Sequence, residues 1–281
     1  MFSKELIGTK VGPFVFEYTW KDVILYALGI GAGADESEEC FVYEKKLKVI
    51  PTFGAIPQPV SPISLPKRTV SDVKGMLHME NELIVHKVLD PMGGKLFYET
   101  FMEKLYDKGP GKGAKMVIRT DVYDELGDLV YENHDALFSR ADGGWGGEEP
   151  PKNTNNMPDR APDIEEQVVP PVTQPLLYRM GSRDLFPMHV DRDFAKASGF
   201  DRPIMHGLCT YGFACRMAIK NLFPGEPERL RRINACFMRS LYPGDPIKLQ
   251  VWKVGEKEAR FQIVNERTGE VPIGKGVLEW T

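Results

Sequence analysis

Cysteine is scarce in this chain. The 281 residues hold four, Cys40, Cys209, Cys215 and Cys236, and no pair stands at metal-ligand spacing. The last three lie among apolar neighbours and read as buried free thiols of a reducing compartment. Positive charge is not in excess either. The formal net charge is -4, which argues against a nucleic-acid surface and against a polybasic membrane anchor. No apolar run is long enough to cross a bilayer, and no basic, apolar signal follows Met1-Phe2-Ser3-Lys4-Glu5. Two glycine clusters lack what a phosphate loop needs. Gly29-Ile30-Gly31-Ala32-Gly33 closes a helix instead of joining a strand to one, and Gly109-Pro110-Gly111-Lys112-Gly113 has neither the spacing nor the Ser/Thr of a P-loop.

What the chain does have is enough apolar material, 42% of residues against 27% charged, for one large domain or two small ones with real cores. Residues 14–18 are strand-like, and Thr19-Trp20-Lys21-Asp22 resembles a capping box that opens a helix over Trp20–Gly29. A strand is expected over 41–50. Pro57, Pro59, Pro62 and Pro66 then forbid a helix interior or a central strand. Residues 83–89, 95–106, 115–123 and 129–139 read as antiparallel strands with glycine turns between them. From 143 to 175 the composition shifts to Gly, Pro, Asn and Glu, the mark of a linker. Strands are expected again over 233–241, 247–254, 259–266 and 271–280.

The two halves, 1–142 and 176–281, look like a diverged duplication. Asp90-Pro91-Met92-Gly93-Gly94 sits where Tyr242-Pro243-Gly244-Asp245 does, and Leu126-Gly127-Asp128 matches Thr268-Gly269-Glu270. One element has no counterpart. From Ile204 the apolar positions Leu208, Tyr211, Gly212, Cys215, Ile219 and Leu222 fall at helical spacing, with Phe213, Met217 and Phe223 on the other side. Such a helix is buried nearly all round. Its two charges, Arg216 and Lys220, are expected on a narrow strip that reaches water.

Chemistry concentrates just before that helix. Asp184 and His189 share the short turn Asp184-Leu185-Phe186-Pro187-Met188-His189, which feeds a short helix capped by Asp191 and stopped by Gly199. Gly207 stands in the first turn of the buried helix, where it leaves its amide open to close approach with the positive end of the dipole behind it. An amide so placed stabilises a developing oxyanion. The plain alternative for Asp184 and His189 is a hydrogen-bonded turn without chemistry. Cys209 has no assigned base and reads as packing, and His206 as a residue that fixes the helix start.

Tyr178-Arg179 leading to Asp184, Pro187 and His189, then Gly199-Phe200-Asp201-Arg202-Pro203-Ile204-Met205-His206-Gly207-Leu208-Cys209-Thr210, resembles the MaoC-like, R-specific 2-enoyl-CoA hydratases. The resemblance covers nearly the whole chain, through ordered blocks at Tyr26-Ala27-Leu28-Gly29, Pro51-Thr52-Phe53-Gly54, Leu77-His78, Asp107-Lys108-Gly109 and Gly143-Gly144-Trp145-Gly146-Gly147. It implies an α+β double hot-dog fold, with antiparallel sheets wrapped around a central helix and an N-terminal repeat lacking the full helix. It implies reversible hydration of trans-2-enoyl-CoA to (3R)-3-hydroxyacyl-CoA in fatty-acid β-oxidation. Asp184 and His189 would hold the water, one as base and the other as acid, with the Gly207 amide on the thioester oxygen. Substrate or CoA contacts are implied for His78, Met79, Lys108, Leu185, Phe186, Pro187, Met188 and Phe237. Neither a metal nor a cofactor beyond the substrate's own CoA is expected. A homodimer and a peroxisomal setting follow from kinship, although the chain ends Glu279-Trp280-Thr281 and not in a Ser-Lys-Leu type signal.

Departures from the family pattern sharpen the question. Phe186 stands where the family has an asparagine that helps hold the water, which removes a donor and an acceptor. One additional residue separates Tyr178 from Asp184, and Met79 replaces a glycine. An acyl-CoA-binding protein with impaired catalysis is the rival reading, and a subunit acting mainly in assembly is a third. The missing N-terminal helix leaves a trough that suits a long acyl chain, or that Ile56, Val60, Ile63 and Leu65 fill as core.

Overall fold

The computed structural model describes residues 4–57 and 76–281. Strand β1 (Lys10–Thr19) runs directly into helix α1 (Trp20–Gly29). The junction is fixed by Asp22, whose Oδ2 accepts from the Thr19 amide at 2.8 Å and its hydroxyl at 2.7 Å. The expected capping residues are therefore in contact.

The expected strand over 41–50 does not form. Helix α2 (Glu39–Val42) and a 3-10 turn at Glu44–Lys46 take its place. The segment closes on itself when the Lys48 amide donates to the Cys40 carbonyl at 2.7 Å, so no edge is left to join a ladder. Phe41, Leu47, Val49 and Ile50 are each buried, an apolar run that serves the core without alternating.

Four strands complete the N-terminal half: β2 (Met76–Val85), β3 (Gly93–Asp107), β4 (Ala114–Tyr123) and β5 (Leu129–Ser139). The C-terminal half supplies β6 (Ile164–Val168), α3 (Gln174–Ser182), α4 (Arg192–Ala197), α5 (Gly207–Leu222), β7 (Leu230–Phe237), β8 (Ile247–Lys253), β9 (Glu258–Asn265) and β10 (Ile273–Trp280). All ten strands join one sheet in the order β1-β3-β4-β5-β2-β7-β10-β9-β8-β6. Substituting β6 for β1, β7 for β2, β8 for β3, β9 for β4 and β10 for β5 makes that order read the same from either end. This is the double hot-dog fold, with an approximate two-fold axis through the antiparallel β2–β7 seam.

Two strands escape a purely local reading. The stretch 143–175, expected to be linker, contains β6, which pairs with β8 and closes one edge of the sheet, and it runs into the start of α3. Its Glu165, Glu166 and Gln167 disguise it, as polar side chains on a short edge strand do. Likewise β2 begins at Met76, well before the expected residue 83, because β5 and β7 both pair with it. Two ladders compensate for the polar run Glu80-Asn81-Glu82.

Helix α5 is the core of the C-terminal half, with Cys209 to Ile219 buried without interruption. Arg216 does not reach water as expected. It is 3% exposed and ion-paired to Glu38, 1% exposed, and its Nε–H donates to the Ile30 carbonyl at 3.0 Å. Lys220 does lie near the surface, 2.9 Å from Asp35 and 3.0 Å from Glu166. In the N-terminal half the described residues at the corresponding place form a 3-10 turn, Pro51–Ala55, all of it buried. Phe53 packs there against Tyr18 and Tyr26, and Gly54 is pressed under Tyr131, whose ring lies 2.7 Å from where a Cβ would be. Ile56 is buried in the same cluster. Pro59, Val60, Pro62, Ile63, Leu65 and Pro66 lie outside the described residues.

Candidate active site

The acidic turn hangs from the end of α3. Arg183 caps that helix in the left-handed region, φ 60°, a conformation that favours glycine. Its guanidinium lies 4.3 Å from the Phe16 ring centroid and donates to the Glu17 carbonyl at 2.9 Å and to Asp22 Oδ1 at 3.0 Å. The turn is thus tied to the N-terminal half directly beside Asp184. The Phe186 amide donates to Asp184 Oδ1 at 3.0 Å, a side-chain turn of the kind Asp favours. A 3-10 turn, Pro187–His189, then delivers the histidine. Asp191 accepts from the amides of Asp193 and Phe194 and starts α4, so the expected cap is present.

His189 Nδ1 is 2.9 Å from the Ile204 carbonyl. A carbonyl only accepts, so Nδ1 carries the hydrogen and Nε2 keeps its lone pair. Burial pushes the imidazole below its ordinary value, and the Ile204 bond and the Asp184 charge oppose this without cancelling it. His206, directly before α5, stacks on His189 with centroids 3.7 Å apart and planes 26° apart, and its other neighbour is the Tyr178 ring at 4.9 Å. It is 2% exposed, and burial, followed by the neighbouring His189, drives its pKa far down. An Asp184 oxygen and one ring nitrogen each of His189 and His206 lie within 4.8 Å of one another, the one such cluster of potential metal ligands among the described residues. The sequence pattern pointed to Asp184 and His189 and placed His206 at the helix start, where it stands with its carbonyl accepting from the Cys209 and Thr210 amides, but it did not foresee the stack on His189. The unusual placing of a histidine between Met205 and Gly207, inside an apolar run, was the available signal.

Gly207 opens α5 and is exposed. A Cβ there would meet the Phe237 ring at 3.1 Å, so glycine is what lets ring and amide face the same space. Phe237 in turn lies 4.7 Å from the His78 ring. Across the β2–β7 seam Glu80↔Cys236 is the last pair, which brings His78 and the exposed Met79 alongside Phe237. His78 Nε2 is 2.8 Å from Asp135 Oδ1, an oxygen that also accepts from Asn81. Lys108 is exposed in the β3–β4 turn, its Nζ 5.2 Å from the Phe138 centroid. The register Ala114↔Ser139 and Met76↔Ser139 puts that turn at the same end of the sheet as His78. Within the acidic turn Leu185 and Phe186 are exposed and Pro187 and Met188 half-buried. Phe186 meets Phe194 edge-on at 5.4 Å, 6.3 Å from His189.

One organising residue went unread in the sequence. Asp107 accepts from the amides of Gly109 at 2.8 Å, Gly144 at 2.7 Å and Gly146 at 2.7 Å. Those bonds, that of Gly144 first, hold its carboxyl down to about 2. They clamp the glycine block after β5 onto the Lys108 turn.

Residues 16–141 match the MFE-2 hydratase 2 N-terminal domain, and residues 153–274 match the MaoC like domain. The chain is 32% identical to the probable enoyl-CoA hydratase 2 of Dictyostelium discoideum, over 98% of this chain and 95% of that one. This chain belongs to the MaoC-like hydratase 2 family. It is also 34% identical to the peroxisomal multifunctional enzyme type 2 of Mus musculus, in which it spans 38% of the length while 97% of its own residues align. Among solved structures, a MaoC-like dehydratase from Phytophthora capsici superposes with a TM-score of 0.84 at 29% identity, covering 98% and 96% of the two chains. As a hydratase 2 family member the chain keeps the acid, the histidine and the glycine, and presents Phe186 where an amide was expected. Gly207→Ala is expected to lower kcat about tenfold or more, because the methyl group must push Phe237 aside and crowds the amide. Steady-state kinetics on an enoyl-CoA check this, and an unchanged kcat would remove Gly207 from the site.

Proposed function

We propose that this chain catalyses the reversible hydration of trans-2-enoyl-CoA to (3R)-3-hydroxyacyl-CoA in peroxisomal fatty-acid β-oxidation. The observation that carries the reading is a histidine with a free lone pair next to a carboxylate, beside the exposed first amide of a buried 16-residue helix. The names of the relatives point the same way.

His189 Nε2 takes a proton from water as the water oxygen bonds to C3. The C2=C3 electron pair moves toward the thioester oxygen, and the Gly207 amide with the α5 dipole stabilises that oxyanion. The Asp184–His189 pair then returns the proton to C2 from the same side, so water adds syn and the protein ends unchanged. Coenzyme A enters as part of the substrate, with Lys108 toward its phosphates and His78, Met79 and Phe237 along its path. Leu185, Phe186, Pro187 and Met188 line the acyl side, and no separate cofactor or metal takes part. A homodimer belongs to the same reading. No helix among the described residues is long and apolar enough to cross a membrane.

The test is loss of enoyl-thioester absorbance with a medium-chain trans-2-enoyl-CoA. Tight acyl-CoA binding without turnover would move the protein to the binding class and make Phe186 the reason. The rate should also carry a signature in pH. A base with a lowered pKa stays neutral further into acid, so the acid limb of kcat/KM is expected below 6.5, the ordinary histidine value. A limb above 6.5 would show that His189 is not the base.

A further inference from the structure

The side chain of Phe186 offers the water no polar atom, so in the hydratase reading Asp184 and His189 hold it by themselves. An error in the placing of either is then uncompensated. His189 is fixed through the Ile204 carbonyl, whereas Asp184 depends on the backbone just before it.

That backbone stands in an unfavourable conformation. Arg183 has φ 60°, and Lys275 is the one other non-glycine residue with positive φ among the described residues. A side chain with a Cβ is disfavoured there, and glycine would adopt the same conformation freely. The guanidinium supplies the reason for an arginine. Its Nη2 donates both to the Glu17 carbonyl at 2.9 Å and to Asp22 Oδ1 at 3.0 Å, with the Phe16 ring centroid 4.3 Å from the guanidinium carbon. Asp22 is shared, since its Oδ2 accepts from the Thr19 amide and hydroxyl in the capping box of α1. One carboxylate thus starts a helix of the N-terminal half and anchors the residue before Asp184. Just upstream, Gly181 lies flush on α1, where a Cβ would meet the Leu25 carbonyl oxygen at 2.7 Å. The acid itself is then set by short bonds. The Asp184 amide donates to Ser182 Oγ at 3.2 Å, and the Phe186 amide donates to Asp184 Oδ1 at 3.0 Å.

We infer that Arg183 is a positioning residue whose bonds to the β1–α1 junction set where the Asp184 carboxylate stands relative to His189. The inference rests on the hydratase reading. It gives the N-terminal half a part in the chemistry of a turn that belongs to the C-terminal half. The Arg183 side chain is 45% exposed, and so exposed an ion pair adds little to stability. Placement and stability therefore separate in the test.

Arg183→Gly removes the side-chain bonds and suits the backbone. The expected result is a kcat about 10- to 10²-fold lower, with KM changed by no more than about twofold. Its thermal midpoint should be no lower than that of the wild type, because the strain is relieved. Arg183→Lys should stay within about fivefold of wild-type kcat, since both bonds come from one nitrogen and an ammonium has donors for both. Beside Asp184→Ala, Arg183→Gly should cost less than about twofold further, because no carboxylate is left to place. The inference is overturned if Arg183→Gly keeps wild-type kcat, or if its loss is undiminished beside Asp184→Ala. It is overturned equally if Arg183→Lys is as slow as Arg183→Gly, or if the loss of kcat only follows a falling thermal midpoint. Absence of turnover in the wild type overturns the hydratase reading itself. Wild-type turnover with an unimpaired Arg183→Gly overturns only the part assigned to Arg183.

Discussion

Replacement of His189 by alanine is expected to lower kcat on trans-2-enoyl-CoA by about 10²- to 10⁴-fold, the range that a positioned general base supplies. Three features of the site argue for the upper part of that range. The Ile204 carbonyl sets the tautomer, burial keeps Nε2 unprotonated near neutral pH, and the neighbouring His206 ring is shut away from solvent at 2% exposed. Acyl-CoA affinity should persist, because the contacts proposed for the thioester oxygen and CoA are with Gly207, His78, Phe237 and Lys108 instead. Calorimetric titration with a saturated acyl-CoA beside the absorbance assay separates the two effects. Asp184→Asn should cost a comparable factor, and the double variant little more than either, as for residues that act on one water as a unit. Full turnover in His189→Ala would end the assignment.

Glu38→Ala is expected to destabilise the fold by about 3–5 kcal/mol, the cost of leaving one member of a buried ion pair uncompensated. Arg216 and Glu38 are both nearly inaccessible, and Glu38 also accepts from the Gly33 amide at 3.1 Å. The pair joins the turn after α1 to the centre of α5, so it couples the two halves. Removing the carboxylate leaves a guanidinium that can neither lose its proton nor reach water. Urea denaturation measures the loss, and less than about 1 kcal/mol would mean that Arg216 finds another partner. The paired change Glu38→Leu with Arg216→Met should recover most of it, since apolar replacement of a buried pair is often neutral.

Helix α5, the caps at Asp22 and Asp191, the glycine turns and the duplication were all legible from local pattern. Each depends on residues within a few positions of one another: an apolar period, a capping side chain, a turn that needs glycine. Asp184, His189 and Gly207 were legible for the same reason, since an acid and a histidine in one turn before a glycine-led helix form a local arrangement. The strand expected at 41–50 failed because its apolar residues serve the core without alternating, and the segment closes on itself through the Lys48 amide and the Cys40 carbonyl instead of pairing with a strand.

What the sequence by itself determined is the inventory: two related halves, one buried helix, and an acid, a histidine and a glycine in its approach. The tertiary structure decided which side chains lose their water. Glu38 and Arg216 are 178 positions apart, and His78 meets Phe237 only because β2 and β7 form the seam. Polar β2 became a central strand through two ladders that its composition does not advertise. His206 became more than a helix-start residue when the acidic turn folded back and laid His189 on its ring. Local conformational preference is written along the chain, whereas burial and pairing depend on partners brought in from far along it.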